Sequence, residues 1–175
     1  MEVYLLRHGI AADLGEGGVL RDADRPLTSE GWEKMREEAA GMRRLGLAFD
    51  YIFTSPYLRT RQTTEAVAKE YDFDNDRIIV IDSLAAGRPF ARGLHRKAEV
   101  FTDLSTHDFE RALIVGHQPD MSEMTSILLS GAGGVGVEFK KGALCALGIS
   151  GLPPRSPGAL LWLMTPKQLR MIGHD

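Results

Sequence analysis

Short apolar runs alternate along this chain with longer amphipathic stretches. Residues 3–6 (Val-Tyr-Leu-Leu) read as a first strand, and 51–54 as a second. Residues 78–81 and 112–115 are unbroken apolar runs of strand length, which predicts strands buried on both faces of a sheet. Between these lie helical patterns. One starts at Thr28, a suitable N-cap, and runs to about Leu45 before Gly46 stops it. A second begins at Pro56 and carries Leu58, Ala66, Val67 and Tyr71 at helical spacing. A third spans about 90–104. A fourth follows Pro119 through Met124, Ile127 and Leu128 and ends before Gly131. Residues 135–139, 143–149 and 160–164 read as three more strands. Residues 13–26, rich in Gly and Asp, form a loop, and the Pro-rich 152–158 is a surface loop rather than a linker. The alternation predicts an α/β fold, with residues 1–175 forming one domain.

Composition narrows the class. The 175 residues carry 24 Asp plus Glu against 21 Lys plus Arg, a formal net charge of −3, with five His and one Cys. No apolar run approaches the roughly 18 residues that a membrane span needs. The first eight residues lack the basic and then long apolar pattern of a signal peptide. Cys145 has no partner for an internal disulfide, which points to a reducing, cytoplasmic setting. A slightly acidic average argues against general binding to nucleic acid or to anionic membranes. By the same average, phosphorylated ligands are disfavoured. No oligomerisation signal is present, so a monomer is expected.

The strand ends change that picture. Arg7-His8-Gly9 closes the first strand, and ligands of open α/β sheets bind beyond the carboxyl ends of strands. Ser55-Pro56-Tyr57-Leu58-Arg59-Thr60-Arg61-Gln62-Thr63 follows the second. It puts Arg59 in the first turn of a helix, where free N–H groups and the helix dipole already favour anions. Guanidinium grips phosphate with two parallel hydrogen bonds, so Arg fits a geometric role there; Arg61 reads as solvated. Gly116-His117 closes the strand at 112–115. If these strands are neighbours, Arg7, His8, Arg59 and His117 converge with up to four positive charges, enough to hold a phosphoryl dianion whatever the net charge.

These three motifs, in this order over residues 6 to 117, resemble the histidine phosphatase (phosphoglycerate mutase-like) superfamily. Arg25-Pro26-Leu27-Thr28, Gly116-His117-Gln118-Pro119 and the ending at 162–169 (Trp-Leu-Met-Thr-Pro-Lys-Gln-Leu) are similar to the SixA-type phosphohistidine phosphatases. The resemblance implies a three-layer sandwich, with a mostly parallel central sheet and helices on both faces. About 30 residues separate Ile81 from Ala112, which leaves room for only a minimal helical insertion. It implies a phosphatase that hydrolyses phosphohistidine on a phosphotransfer protein through a covalent phosphohistidine intermediate. His8, on a surface loop, is then the nucleophile. Arg7, Arg59 and His117 bind the phosphoryl oxygens, with His117 as a cation, and neither metal nor other cofactor is required.

Two departures from the family pattern matter. The stretch Ile10-Ala11-Ala12-Asp13 lacks the hydroxyl residue and Asn that many members place after Arg-His-Gly. The family's acidic Glu after the third strand is replaced by Asp82-Ser83-Leu84. Asp22 is the first candidate for the general acid, followed by Asp24 and Asp82. A weak acid would matter less for phosphohistidine than for an alkyl phosphate, because imidazole departs more easily than an alkoxide. Competing readings are a small-molecule phosphomonoesterase and a phosphate-binding regulatory module without turnover. The Gly131–Gly136 pattern G-x-G-x-x-G follows a helix and precedes a strand, the reverse of a dinucleotide site. Cys145, within an apolar run, reads as inert. His95, His107 and His174 read as bystanders, and the histidines show no metal-ligand spacing.

Overall fold

The computed structural model describes residues 1–86 and 94–174. Its helices are α1 (Ser29–Arg44), α2 (Leu58–Tyr71), α3 (Leu94–Ser105), α4 (Asp120–Ser130) and α5 (Pro166–His174). Six strands, β1 (Glu2–Arg7), β2 (Tyr51–Thr54), β3 (Ile78–Val80), β4 (Arg111–Gly116), β5 (Leu144–Gly148) and β6 (Ala159–Met164), form one sheet in the order β3-β2-β4-β1-β5-β6. Pairs β3-β2, β2-β4 and β4-β1 are parallel, while β5 runs antiparallel to both β1 and β6. The sheet is therefore mostly parallel, as the family resemblance implied.

Period-two alternation sends successive side chains to opposite faces, and each face is covered. Val3, Leu5, Phe53, Ala112 and Ile114 pack with Val100 and Leu104 of α3 and Met121, Met124 and Leu128 of α4. Tyr4, Leu6, Ile52, Leu113 and Val115 pack with Met35, Ala39 and Met42 of α1, Ala66 and Val67 of α2, and Leu169 of α5. The result is the expected three-layer arrangement.

This layering places the site. The chain leaves β1 for α1 on one face and leaves β4 for α4 on the other. Neighbouring strands whose exits diverge in this way open a crevice at their carboxyl ends. Backbone bonds hold the three ends level: His8 N–H donates to Gly116 O (3.0 Å), and Ser55 N–H to Val115 O (3.1 Å).

Thr28 caps α1 as expected, its hydroxyl accepting from Gly31 N–H at 3.0 Å. Three expectations need correction, and one helix was not expected. Residues 78–81 do not form a strand buried on both faces; β3 is a short edge strand with Val80 44% exposed. Residues 135–139 form no strand, although Phe139 is buried. Both edges of β1 are already taken, by β4 and β5. The segment instead bonds to side chains of α4: Val135 N–H donates to Ser126 Oγ (2.7 Å), and Val137 O accepts from Ser122 Oγ (2.5 Å). The helix expected from Pro56 starts at Leu58, with Tyr57 at the N-cap. Finally, α5 is a helix the apolar pattern did not announce. Its signal is a capping box, in which Gln168 Oε1 accepts from Thr165 N–H (2.8 Å) and Thr165 Oγ1 from Gln168 N–H (3.4 Å), with Pro166 at the first helical position. The start expected for the third helix, 90–93, lies outside the described residues; α3 is described from Leu94.

Candidate active site

β1, β2 and β4 are adjacent, so the three strand-end motifs meet. His8, Arg59 and His117 are 5%, 4% and 1% exposed, and Arg7 is half-buried. His8 is thus buried rather than displayed on a surface loop. The two imidazole rings lie 5.2 Å apart, centroid to centroid. The turn carrying Gly9 packs closely on the first turn of α1: a Cβ on Gly31 would lie 2.0 Å from Ile10 O, so only glycine fits there. Gly9 N–H donates to Thr63 Oγ1 (3.1 Å), and that hydroxyl donates in turn to Arg59 O (2.8 Å), tying the first motif to α2.

The hydrogen bonds define the tautomer of His8. Nδ1 lies 2.7 Å from Gly9 O, and a carbonyl only accepts, so Nδ1 carries the proton. Burial, with further pressure from the charges of Arg59, Arg7 and Lys141, pushes the ring down to about 3 against the opposing pull of that carbonyl. The ring is therefore neutral at pH 7, and Nε2 holds a lone pair. Arg59 Nε–H points at that lone pair from 3.2 Å.

The rest of the Arg59 fork engages Asp22: Nη1 donates to its backbone O (2.6 Å) and Nη2 to Oδ2 (2.9 Å). Burial alone would push the Asp22 carboxyl up, but hydrogen bonds from Arg25 and Arg59 hold it below the usual carboxylate range. It enters the site as a carboxylate that orients Arg59, and it can act as an acid only after both arginines let go. Asp24 is occupied by Arg21 (2.6 Å), and Asp82 is exposed. Of the three candidate acids, only Asp22 touches the cluster.

His117 differs from expectation as well. Burial, with Arg59 and His8 nearby, pushes it down to about 2, so the protein by itself holds it neutral rather than cationic. Its Nε2 shares a hydrogen bond with Ser55 Oγ (2.8 Å), and its buried Nδ1 has no partner among the described residues. Arg7 Nη1 donates to Phe139 O (2.6 Å), while its buried Nε has no partner among the described residues. Burial and Arg59 lower the Arg7 pKa from its ordinary value. The Tyr57 ring lies edge-on to His117 at 5.1 Å, with the Arg59 guanidinium 5.2 Å from its centroid. Sequence reading passed over Ser55, Tyr57 and Thr63 as separate participants, although all three lie inside the second motif. It gave no hint of Phe139 or Lys141, because only folding brings residues 130 positions away beside Arg7.

Chemically, the cluster offers a neutral imidazole whose lone pair accepts from Arg59 Nε–H, flanked by two guanidinium groups and a second imidazole. That is an arrangement for attack on, and charge stabilisation around, an anionic phosphorus centre. Among the described residues, no three His, Cys, Asp or Glu side chains gather as metal ligands, and no helix is long and apolar enough to cross a membrane. Cys145 is buried, and burial pushes its thiol up to about 12, which leaves it a poor nucleophile. His107 packs against Tyr51 and Phe53, and His174 lies beside Glu37; the side chain of His95 lies outside the description.

Comparison with known proteins agrees with the geometry. The family model of the histidine phosphatase superfamily (branch 1) matches residues 3–86. An uncharacterized protein of Picosynechococcus is 32% identical over 177 residues, covering 97% of this chain and 99% of its own. Among solved structures, the protein histidine phosphatase SixA complexed with tungstate superposes with a TM-score of 0.77 at 23% identity, covering 97% of this chain and 99% of its own. A putative alpha-ribazole-5'-P phosphatase from Escherichia coli gives 0.74 at 19% identity, covering 95% and 98%. Sequence motifs, sheet topology and the matched family model lead to one assignment: this chain belongs to the histidine phosphatase superfamily.

Proposed function

We propose that the protein hydrolyses phosphohistidine, on a histidine phosphotransfer domain or a similar protein, without a metal ion. The observation that carries this reading is the His8 ring, whose Nδ1 proton is committed to Gly9 O so that Nε2 keeps a lone pair as nucleophile, directed at Arg59. In the first step, Nε2 attacks phosphorus and the bond from phosphorus to the substrate imidazole breaks; that imidazole, protonated at its other ring nitrogen, takes the bonding pair and leaves neutral, and the phosphoryl group stays on His8. Water then attacks the same phosphorus, and phosphate departs as the His8 lone pair returns. Arg7 and Arg59 supply the positive charge that stabilises the equatorial oxygens. A bound dianion would pull His117 towards its protonated, donating form, against the burial that keeps it neutral.

The leaving group follows from the acids. Among the described residues, the carboxyl that touches the cluster is Asp22, held ionised by Arg59 and Arg25. A substrate whose leaving group needs strong protonation, such as an alkyl phosphate, is served poorly by such a site. A phosphoramidate with an imidazole leaving group is served better. The likeness to the alpha-ribazole-5'-P phosphatase supports a second reading, a phosphomonoesterase for a small molecule. Phosphate release from a phosphohistidine peptide, compared with release from a serine phosphate and a sugar phosphate, tests the choice. The proposal expects the highest kcat/KM on phosphohistidine, and an equal or reversed preference overturns it.

A further inference from the structure

The site has a neighbour that the phosphate chemistry does not use. A recess of about 490 Å³ opens between the start of α1, the segment ending at Lys141, and α5. Its lining includes five basic side chains, Arg7, Lys34, Lys140, Lys141 and Arg170, against two acidic ones, Glu38 and Glu138. This is a local excess of positive charge on a chain whose net charge is −3. Three of the five cations are already engaged. Arg170 Nη1 donates to the buried Glu38 (2.7 Å), Lys34 pairs with Glu30, and Arg7 belongs to the phosphate cluster. Lys140 and Lys141 are both exposed and make no ion pair with any described residue.

The two lysines are held in place by Arg7. The Arg7 side chain donates to Phe139 O (2.6 Å), and Arg7 O accepts from Gly142 N–H (3.0 Å). Ala143 N–H closes the turn on Lys140 O at 2.8 Å. The turn that presents Lys140 and Lys141 is therefore clamped on both sides by the residue that precedes the nucleophile. The charge of Lys141 reaches His8, where it is one of the influences that lower the ring's pKa. The recess contains neither Arg59 nor Asp22, so an anion seated there does not compete with the Asp22–Arg59 pair.

We propose that this recess is a second anion site, in which Lys140 and Lys141 receive carboxylate side chains that flank the phosphohistidine on the substrate protein. The inference rests on the phosphohistidine reading and deepens it. It assigns the substrate an acidic neighbourhood on the Arg7 side of the phosphoryl group. Two exposed lysines recognise such a partner by charge, which sets specificity and encounter more than the rate of the chemical step.

The test uses two phosphohistidine peptides of equal length, one flanked by glutamates and one by alanines. Wild type is expected to show the higher kcat/KM on the glutamate peptide, mainly through KM. In the K140A/K141A double variant that preference should shrink about fivefold, the effect of losing two exposed charge pairs. K141E should reverse it. A wild type without preference, or a double variant that keeps the full preference, overturns the proposal. If wild type releases phosphate from neither peptide, the phosphohistidine reading fails instead. The recess is then read alone by titrating an unphosphorylated glutamate-rich peptide against both proteins: tighter binding by wild type supports the second site, and equal binding overturns it.

Discussion

The strands β1, β2 and β4 finish very differently at their two ends. At the amino end, polar groups are closed against one another. Asp50 Oδ2 accepts from Glu110 N–H (2.9 Å) and Arg111 N–H (2.8 Å), Asp50 N–H donates to Arg111 O (2.7 Å), and Glu2 N–H donates to Glu110 O (2.7 Å). At the carboxyl end, the His8 lone pair faces a guanidinium, and the buried Arg7 Nε and His117 Nδ1 have no partner among the described residues. Buried polar groups in folded proteins are nearly always paired, and each exception calls for an explanation. Here one end of the sheet uses its polar groups to hold strands in register. The other keeps unmet hydrogen-bonding capacity in a dry site, where it is available to an anion.

Substitutions at the two ends should therefore have opposite signatures. The largest effect is expected from His8→Ala, which should lower phosphate release by about three orders of magnitude or more, as removal of a nucleophile does. His8 is buried, so His8→Asn serves as a packing control; both variants should keep the native circular dichroism spectrum, and an active His8→Ala protein would exclude the mechanism. Arg59→Ala comes next, with a loss of about 10²–10³ in kcat for one electrostatic donor. Arg59→Lys should recover only a small part of this, because an ammonium group cannot reproduce a planar fork shared between His8 and Asp22. Steady-state kinetics separates the two.

The amino end should answer in stability. Asp50→Ala removes the side-chain acceptor of two exposed backbone N–H groups and should cost about 0.5–1.5 kcal/mol in a denaturant titration. Its kcat/KM should match wild type, and a loss of activity at constant stability would break the contrast. The last effect is proton-linked and vanishes near neutral pH. His8 and His117 are pushed below the ordinary imidazole value of 6.5, to about 3 and about 2. Above pH 6.5 each ring is neutral whether folded or unfolded, so it adds nothing to the pH slope. Below that, the unfolded chain takes up protons that the folded chain refuses, so stability falls as pH drops from 6.5 towards 3. Neither ring should titrate by NMR between about pH 5 and 8, the usual window for histidine. A ring that titrates in that window would show that the carboxyl end is wetter than its burial implies.

Several of these features are legible without coordinates. Thr28 is a sound N-cap because a hydroxyl at that place meets a free N–H. The continuous apolar runs of β1 and β4 announce buried strands because both faces of a covered sheet are dry. The same logic failed for 78–81, since an apolar run does not say whether a strand lies in the middle of a sheet or at its edge. It failed for 135–139 because alternation marks a strand only where a neighbouring edge is open to pair. The helix α5 was not expected, although Thr165-Pro166-Lys167-Gln168 carries a capping signal for it. Within the site, Arg7, His8, Arg59 and His117 were evident from their strand ends. The roles of Ser55 and Thr63 as tethers depend on which atoms come within 3 Å of them.

What the chain determined locally was the set of reactive groups and their placement at strand termini, because side-chain chemistry and strand length are properties of short segments. What only the tertiary structure decided was the state of those groups. Burial and neighbouring charge make both imidazoles neutral, and contact with Arg59 and Arg25 turns Asp22 from a candidate acid into an ionised partner. Protonation depends on desolvation and on charges a few ångströms away. Those distances join residues such as Asp22 and Arg59, or Arg7 and Phe139, that are far apart along the chain.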